Sequence, residues 1–361
     1  MAERALRVLQ INTERGWRGG ERQTLLTAQG LRERGHDVEL LLVRSGALAE
    51  RARAQGLVVH TAHGGVAFGV WLALHAKRYD ILHVQTAKAV AWAVVAAWLH
   101  RCALVFSRRT SFSMGMRAWL TRLKWRQVGQ MVAISEAAAA APRAMGISTA
   151  VIASAVSPIR ADIARVQDFL TRYKLANRRL VGTAAALSVE KDPLTLIRAA
   201  AQVCAQFDDV VFVHWGAAGA ASEQAKQLID TLGLQERYLL LGFEPNVEQL
   251  FSALSVFVMA SRFEALGSSV LDAMLQKVPV VSTDAGGLKE TVAEGRGLLC
   301  AAGDHAAMAV HIASVLTQPK QAQAMVETAY AAVTTEYGVE RMVDRYVQLY
   351  RTLLGEQRAP H

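Results

Sequence analysis

The stretch LVGTAAALSVEKDPLTLIRAAAQVCAQFDDVVFVHW, residues 180–215, decides the fold. It opens on a short apolar run at 180–183, crosses a loop of small residues, carries a helix signal over 192–206 and closes on a β-branched run at 210–215. Asp192-Pro193 provides a side-chain acceptor for a helix N-cap and then a residue whose φ already suits the first helical position. Apolar strands joined through a helix are those of a parallel sheet covered on both faces.

The same alternation extends both ways. Strands are expected upstream at 6–11, 38–43, 57–60, 81–84, 104–106, 131–134 and 151–152, and downstream at 238–241, 256–259, 278–282 and 297–300. A helix over 22–34 ends at Gly35, a suitable C′ glycine. No strand follows Cys300, and Tyr337, Met342, Tyr346, Leu349, Tyr350 and Leu353 mark a helical tail. A chain of 361 residues suggests two domains at ~150 residues each. The strand pattern restarts at Leu180, which places the boundary within 157–177. Two doubly wound domains facing one another would leave a cleft at the carboxyl ends of both sheets, where α/β ligands bind.

Composition excludes other classes. With 52% hydrophobic and 20% charged residues the chain is not a disordered one. Cys102, Cys204 and Cys300 have no paired spacing, so a disulfide scaffold or cysteine zinc site is not expected and a reducing compartment fits. The start reads as a charged lead into a strand, not a signal peptide. The longest apolar run, 89–99, is shorter than the ~20 residues a spanning helix needs. A cytoplasmic protein is expected, with peripheral attachment to the inner face of the membrane as an option.

Charge is uneven. Residues 1–175 hold 25 Lys and Arg against 11 Asp and Glu, whereas 176–361 hold 15 against 20. No acid lies within 81–135, where Lys88, Arg101, Arg108, Arg109, Arg117, Arg122, Lys124 and Arg126 all fall. That field suits an anionic partner or is a solvated basic face. No recognised nucleic-acid module accompanies it.

Four stretches can carry chemistry. Trp17-Arg18-Gly19-Gly20 follows the first strand and precedes a helix, so its amides can approach an anion, although alone it is equally a turn. The dinucleotide fingerprint GxGxxG is absent, which argues against hydride transfer. In the second, running from Gly182 and Thr183 to Asp192, Lys191 stands at a helix entrance and can reach an anion there. The third, Ser261-Arg262-Phe263-Glu264-Ala265-Leu266-Gly267-Ser268-Ser269 and on to Asp272, is the most informative. Free N–H groups of Leu266, Gly267, Ser268 and Ser269 would converge on a phosphate, with Glu264 and Asp272 placed to accept from sugar and ribose hydroxyls. The fourth is the Gly286-Gly287 turn after a strand.

On these residues the chain resembles family 4 of the retaining glycosyltransferases, with the two-domain GT-B architecture. The resemblance runs through Gly19-Gly20, Arg34-Gly35-His36, Asp80-Ile81-Leu82-His83, Glu190-Lys191-Asp192, Glu264…Asp272 with Pro279-Val280-Val281, and Gly286-Gly287. It implies an acceptor-binding domain over 1–170, a nucleotide-sugar domain over 171–337, and a terminal helix at about 338–361 crossing back to the first. It implies that Lys191 binds the donor diphosphate, Glu264 the sugar hydroxyls, Asp272 the ribose, and the 266–269 backbone the distal phosphate, faced by Gly20. Gly19, Thr183, Gly216 and Phe243 complete the donor-binding candidates. The chain departs from the family in two places. Thr183 stands where many members carry Arg, and His83-Val84-Gln85 where many read His-x-His. Gln85, at a catalytic position, can donate a hydrogen bond but cannot titrate. His83 is expected to be a core histidine.

The expected reaction moves a sugar from a UDP, GDP or ADP donor to an anionic glycan or glycolipid, as in lipopolysaccharide synthesis, with Arg108 and Arg109 on the acceptor. No Asp-x-Asp motif is present, so no metal or other cofactor is expected. Phe112, Met114, Met116, Trp119, Leu120, Leu123 and Trp125 interleave with Arg117, Arg122, Lys124 and Arg126, a mix for a helix on an anionic membrane or for an ordinary packed helix. Two alternatives stay open, a sugar-nucleotide epimerase of this architecture and a non-catalytic glycan- or membrane-binding protein.

Overall fold

The structure, a computed structural model, describes residues 4–109, 118–158 and 161–356. The chain divides into two compact bodies, Met1–Ala155 with Tyr337–His361, and Val156–Glu336. The division falls earlier than the expected 170/171. The helix Ile163–Arg172 belongs to the second body because Arg165 is bonded there, to the Asn246 carbonyl (3.1 Å), Gln249 Oε1 (2.7 Å) and Glu244.

In the first body seven strands run parallel: β1 (Arg7–Asn12), β2 (Asp37–Val43), β3 (Val58–Ala62), β4 (Ile81–Val84), β5 (Ala103–Arg108), β6 (Gln130–Ala133) and β7 (Thr149–Val151), in the order β3-β2-β1-β4-β5-β6-β7. The second body has β8 (Arg179–Ala184), β9 (Val210–Trp215), β10 (Tyr238–Gly242), β11 (Val256–Met259), β12 (Val280–Thr283) and β13 (Leu298–Cys300), in the order β10-β9-β8-β11-β12-β13. In each sheet the order in which strands are added reverses once, between β1 and β4 and between β8 and β11, with all strands parallel. At such a switch point the two following loops leave in opposite directions and open a crevice.

Both faces of each sheet are covered, which is why most strands are buried end to end. In the first body one face packs on Gly19–Glu33, Ala47–Ala54 and Val339–Glu356, and the other on Gly65–His75, Val90–His100 and Ala118–Trp125. Val339–Glu356 inserts Met342, Val343, Tyr346 and Tyr350 into the first core. A Cβ on Gly30 would lie 2.5 Å from Val343, so glycine lets the two helices touch. Among the described residues no helix is long and apolar enough to cross a membrane.

Candidate functional site

In the second body the loops after β8 and β11 are stitched together. The Glu190 carbonyl accepts from the backbone N–H of Arg262 (2.8 Å) and of Phe263 (3.4 Å). Asp192, at φ 45°, caps Pro193–Cys204 by accepting from the Thr195 N–H, and its other oxygen accepts from Arg262 Nε at 2.7 Å. Between these ties Lys191 Nζ pairs with Glu264 Oε2. Glu264 Oε1 accepts from the Ala265 N–H at 3.2 Å.

The loop after β12 backs this arrangement. Gly287 N–H donates to the Glu264 carbonyl (3.0 Å), Thr291 Oγ1 to that of Leu266 (2.8 Å) and Thr283 Oγ1 to that of Ser261 (2.6 Å). Gly286 sits at φ +56° with its Cβ position 2.3 Å from the Glu264 carbonyl oxygen, and that of Gly287 is 2.0 Å from the Ala265 oxygen. Only residues without a Cβ fit there. Gly267, at φ +87°, caps Ser268–Leu275, whose 3₁₀-type first bond runs from Val270 N–H to Gly267 O. The N–H groups at 266–269 precede that bond, at the positive end of the helix. Leu266 is buried, so it offers its backbone alone, and Asp272 is buried one turn into the helix.

The structure thus brings Lys191, Glu264 and residues 266–269 together at the switch point. Three further donor candidates lie in the second body. Thr183 is buried within β8, paired with His214 of β9. Gly216 is a packing position: its N–H donates to the Gly242 carbonyl (2.8 Å) and a Cβ would lie 1.8 Å from the Ala185 oxygen. Phe243, just after β10, is 65% exposed. Ser188 and Ser261 lie within the second and third of the stretches above, where neither was singled out. Their hydroxyls are the buried side-chain polar atoms without a hydrogen-bond partner among the described residues, and both lie in the stitched loops.

His214 steadies the loop leading to Lys191. Its Nε2–H donates to the Ala185 carbonyl and Nδ1 accepts from the Tyr238 hydroxyl, both at 2.9 Å. Burial lowers its pKa to about 4, opposed by the Ala185 bond. From pH 6.5 down to about 4 the unfolded chain therefore binds a proton that the folded one refuses. That stability is present above pH 6.5 and falls by about 3 kcal/mol as pH drops through the window. Melting temperatures recorded across that range should decline, and decline less in His214→Gln.

The first body holds a different cluster at its own switch point. His83 Nε2 meets Ser107 Oγ (2.7 Å), and its Nδ1 meets the Tyr350 hydroxyl (2.7 Å) and Gln10 Nε2 (3.2 Å). Ser107 Oγ also meets the Tyr346 hydroxyl at 2.8 Å. Burial, with the Arg109 charge second, holds the His83 pKa well below its usual range, so it is a neutral core histidine. Gln85 is buried, donating to Gln10 Oε1 (2.6 Å) and accepting from Arg109 Nη2 (2.6 Å). Arg109 Nη1 donates to Ser154 Oγ at 3.0 Å, and a Cβ on Gly20 would lie 3.8 Å from its Cδ. The hydrogen-bond partners of Arg109 among the described residues are neutral, and burial lowers its pKa. Gly19 and Gly20 open the helix Gly19–Glu33 beside it, where Glu21 accepts from the Arg18 N–H at 3.0 Å.

Arg108 does not join Arg109, contrary to expectation. Successive residues at a strand end point to opposite faces. Arg108 is buried over the Trp125 ring (5.5 Å) and donates to the Ala138 carbonyl at 2.9 Å. Phe112, Met114, Met116 and Arg117 lie outside the described residues.

Residues 17–159 match the family model described as Glycosyltransferase Family 4, and residues 169–332 that described as Glycosyl transferases group 1. The chain belongs to family 4 of the glycosyltransferases. Relatives of this family 4 chain include a lipopolysaccharide core biosynthesis mannosyltransferase, LpcC, of Rhizobium leguminosarum bv. viciae, 29% identical over 198 residues, 54% of this chain and 56% of the relative. A 2-deoxystreptamine glucosyltransferase of Streptomyces kanamyceticus is 29% identical over 215 residues, 58% and 55% of the two chains. The matched part spans about half the length of these curated relatives. Solved structures similar to this family 4 chain carry the GT-B fold. Anabaena Alr3699/HepE in complex with UDP and glucose has a TM-score of 0.84 at 22% identity, covering 96% of this chain and 100% of that one. A glycosyltransferase from Rickettsia africae ESF-5 reaches 0.86 at 19% identity, covering 98% and 99%.

Proposed function

We propose that the chain transfers a hexosyl group, with retention, from a nucleoside-diphosphate sugar to an anionic glycan or glycolipid of the bacterial surface. The observation that carries this reading is the Lys191–Glu264 pair beside the amides at 266–269. An ammonium and the positive end of a helix at one place suit a diphosphate, and a carboxylate held there suits sugar hydroxyls. Charge grows on the diphosphate as the glycosidic bond lengthens, and donors already oriented toward it stabilise it without reorganising. Asp272 takes the ribose. The leaving phosphate accepts the acceptor proton, since Gln85 cannot. With Lys191 and the amides neutralising the diphosphate, transfer is proposed to need no metal and to continue in EDTA.

Arg109, a half-buried cation whose hydrogen-bond partners among the described residues are neutral, takes the anionic group of the acceptor. A lipopolysaccharide core acceptor is favoured by LpcC and by the basic first body. The donor assignment is tested by thermal shift with UDP, GDP, ADP and CMP. One of the diphosphates at about a hundred times its Kd should stabilise the folded chain by about 2.7 kcal/mol and raise Tm by roughly 5–10 °C. No shift with any of them rejects the reading. A cognate donor incubated without acceptor should return unepimerised.

A further inference from the structure

The layer Gly65–His75, Val90–His100 and Ala118–Trp125 covers one face of the first sheet. Phe68, Leu72, Ala93 and Trp125 point into the core beneath it. Trp92 lies across Gly65 and Gly69, where a Cβ would meet its ring at 2.9 and 2.3 Å, so the first two helices touch closely. Their outward faces are apolar as well. Val66, Val70 and Leu74 form one exposed stripe at a spacing of four residues, and Val95, Trp98 and Leu99 form another, with Trp98 82% exposed. Trp119 and Leu123 are exposed on the third helix. Surface helices ordinarily turn polar residues outward, and a contiguous exposed apolar patch marks an interaction surface.

Charge identifies what covers it. Lys77, Lys88, Arg101, Arg122, Lys124 and Arg126 are exposed on and around the same helices. Across residues 51–135 there are twelve Lys and Arg and a single acid, Asp80, which is bonded to Arg4 and the Arg7 N–H. An apolar patch containing tryptophan and ringed by cations complements a plane of anionic headgroups over hydrocarbon. We propose that this three-helix face docks on an anionic lipid bilayer. Val66, Val70, Val95 and Trp98 enter the headgroup–acyl boundary and the surrounding Lys and Arg meet lipid phosphates. The reading is separate from the donor assignment and locates the membrane contact beyond the helix at 118–125.

Co-sedimentation of the full chain with phosphatidylcholine vesicles, with and without phosphatidylglycerol, tests it. Binding is expected with the anionic lipid and should weaken at least about tenfold in Val70→Ser/Val95→Ser/Trp98→Ser, which removes the buried apolar area. Lys124→Glu/Arg126→Glu should weaken it by more than about twentyfold, at about fivefold for each charge. The melting temperature and its nucleotide-induced shift should stay at parent values in both variants, so loss of vesicle binding is told apart from misfolding and from failure of the donor reading. No binding to either vesicle, equal binding to both, or full binding by the triple serine variant would overturn the proposal. So would a dimer, seen by sedimentation velocity, that the same serines dissolve.

Discussion

Lys191→Met should lower kcat by about two to three orders of magnitude, the loss typical when one preorganised donor to a developing oxyanion is removed. Methionine keeps the length of the side chain, so the change is one of charge. Two effects add. The diphosphate loses its only ammonium among the residues assigned to it, and Glu264 is left mostly buried with no cation beside it. Glu264→Gln separates them, because the amide relieves the unpaired charge and still accepts from the Ala265 N–H. In the double variant activity should remain low while stability returns toward the parent. Release of nucleoside diphosphate, followed with whichever base the thermal shift selects, measures the rate. Parent-like turnover in Lys191→Met/Glu264→Gln would remove this pair from the mechanism.

Gly287→Ala should cost about 1–3 kcal/mol of stability, the range for forcing atoms into packed space. It should also weaken nucleotide binding by more than tenfold. The added methyl would stand 2.0 Å from the Ala265 carbonyl oxygen, so the turn and the segment 264–266 must part by about an ångström. That displacement breaks the Gly287 N–H bond to the Glu264 carbonyl and carries the anion-facing amides with it. Gly16→Ala is the control, since a Cβ there meets nothing within 4 Å. Calorimetry with the nucleotide and thermal melts read both effects. A Gly287→Ala protein that binds and melts like the parent would mean the turn does not support the site.

The sheets were legible because their strands are buried on both faces and so read as apolar runs. Expected and observed strands agree to within a residue or two nearly everywhere. At β12 the reading began too early. Pro279 lacks an N–H, so it serves the ladder only through its carbonyl, which accepts from Phe257 N–H at 2.9 Å. Glu264 and Gly267 could be placed at one loop–helix junction because acid and helix entrance are contiguous in sequence, whereas the pairing of Lys191 with Glu264 joins residues 73 apart. What escaped depends on contacts between distant segments. The role of Gly216 comes from the Ala185 carbonyl beside it, and the ties of Gln85 and His83 come from Gln10, Arg109 and the tyrosines of Val339–Glu356. Arg108 and Arg109 looked like a pair because adjacency in sequence hides the alternation of a strand. The helix at 163–172 was assigned to the wrong side of the boundary because Arg165 finds its partners some eighty residues later.

Because Tyr346 and Tyr350 fill the space beneath β4 and β5, the order of synthesis matters. The second body is one uninterrupted segment and can finish folding while the ribosome is still working, since domains generally fold as units. The first body has every strand early, but His83 waits for a hydroxyl 267 residues later. Until that helix emerges, an apolar groove along Gly19–Glu33 is left bare, so the nascent amino-terminal half is the part that would call on a chaperone.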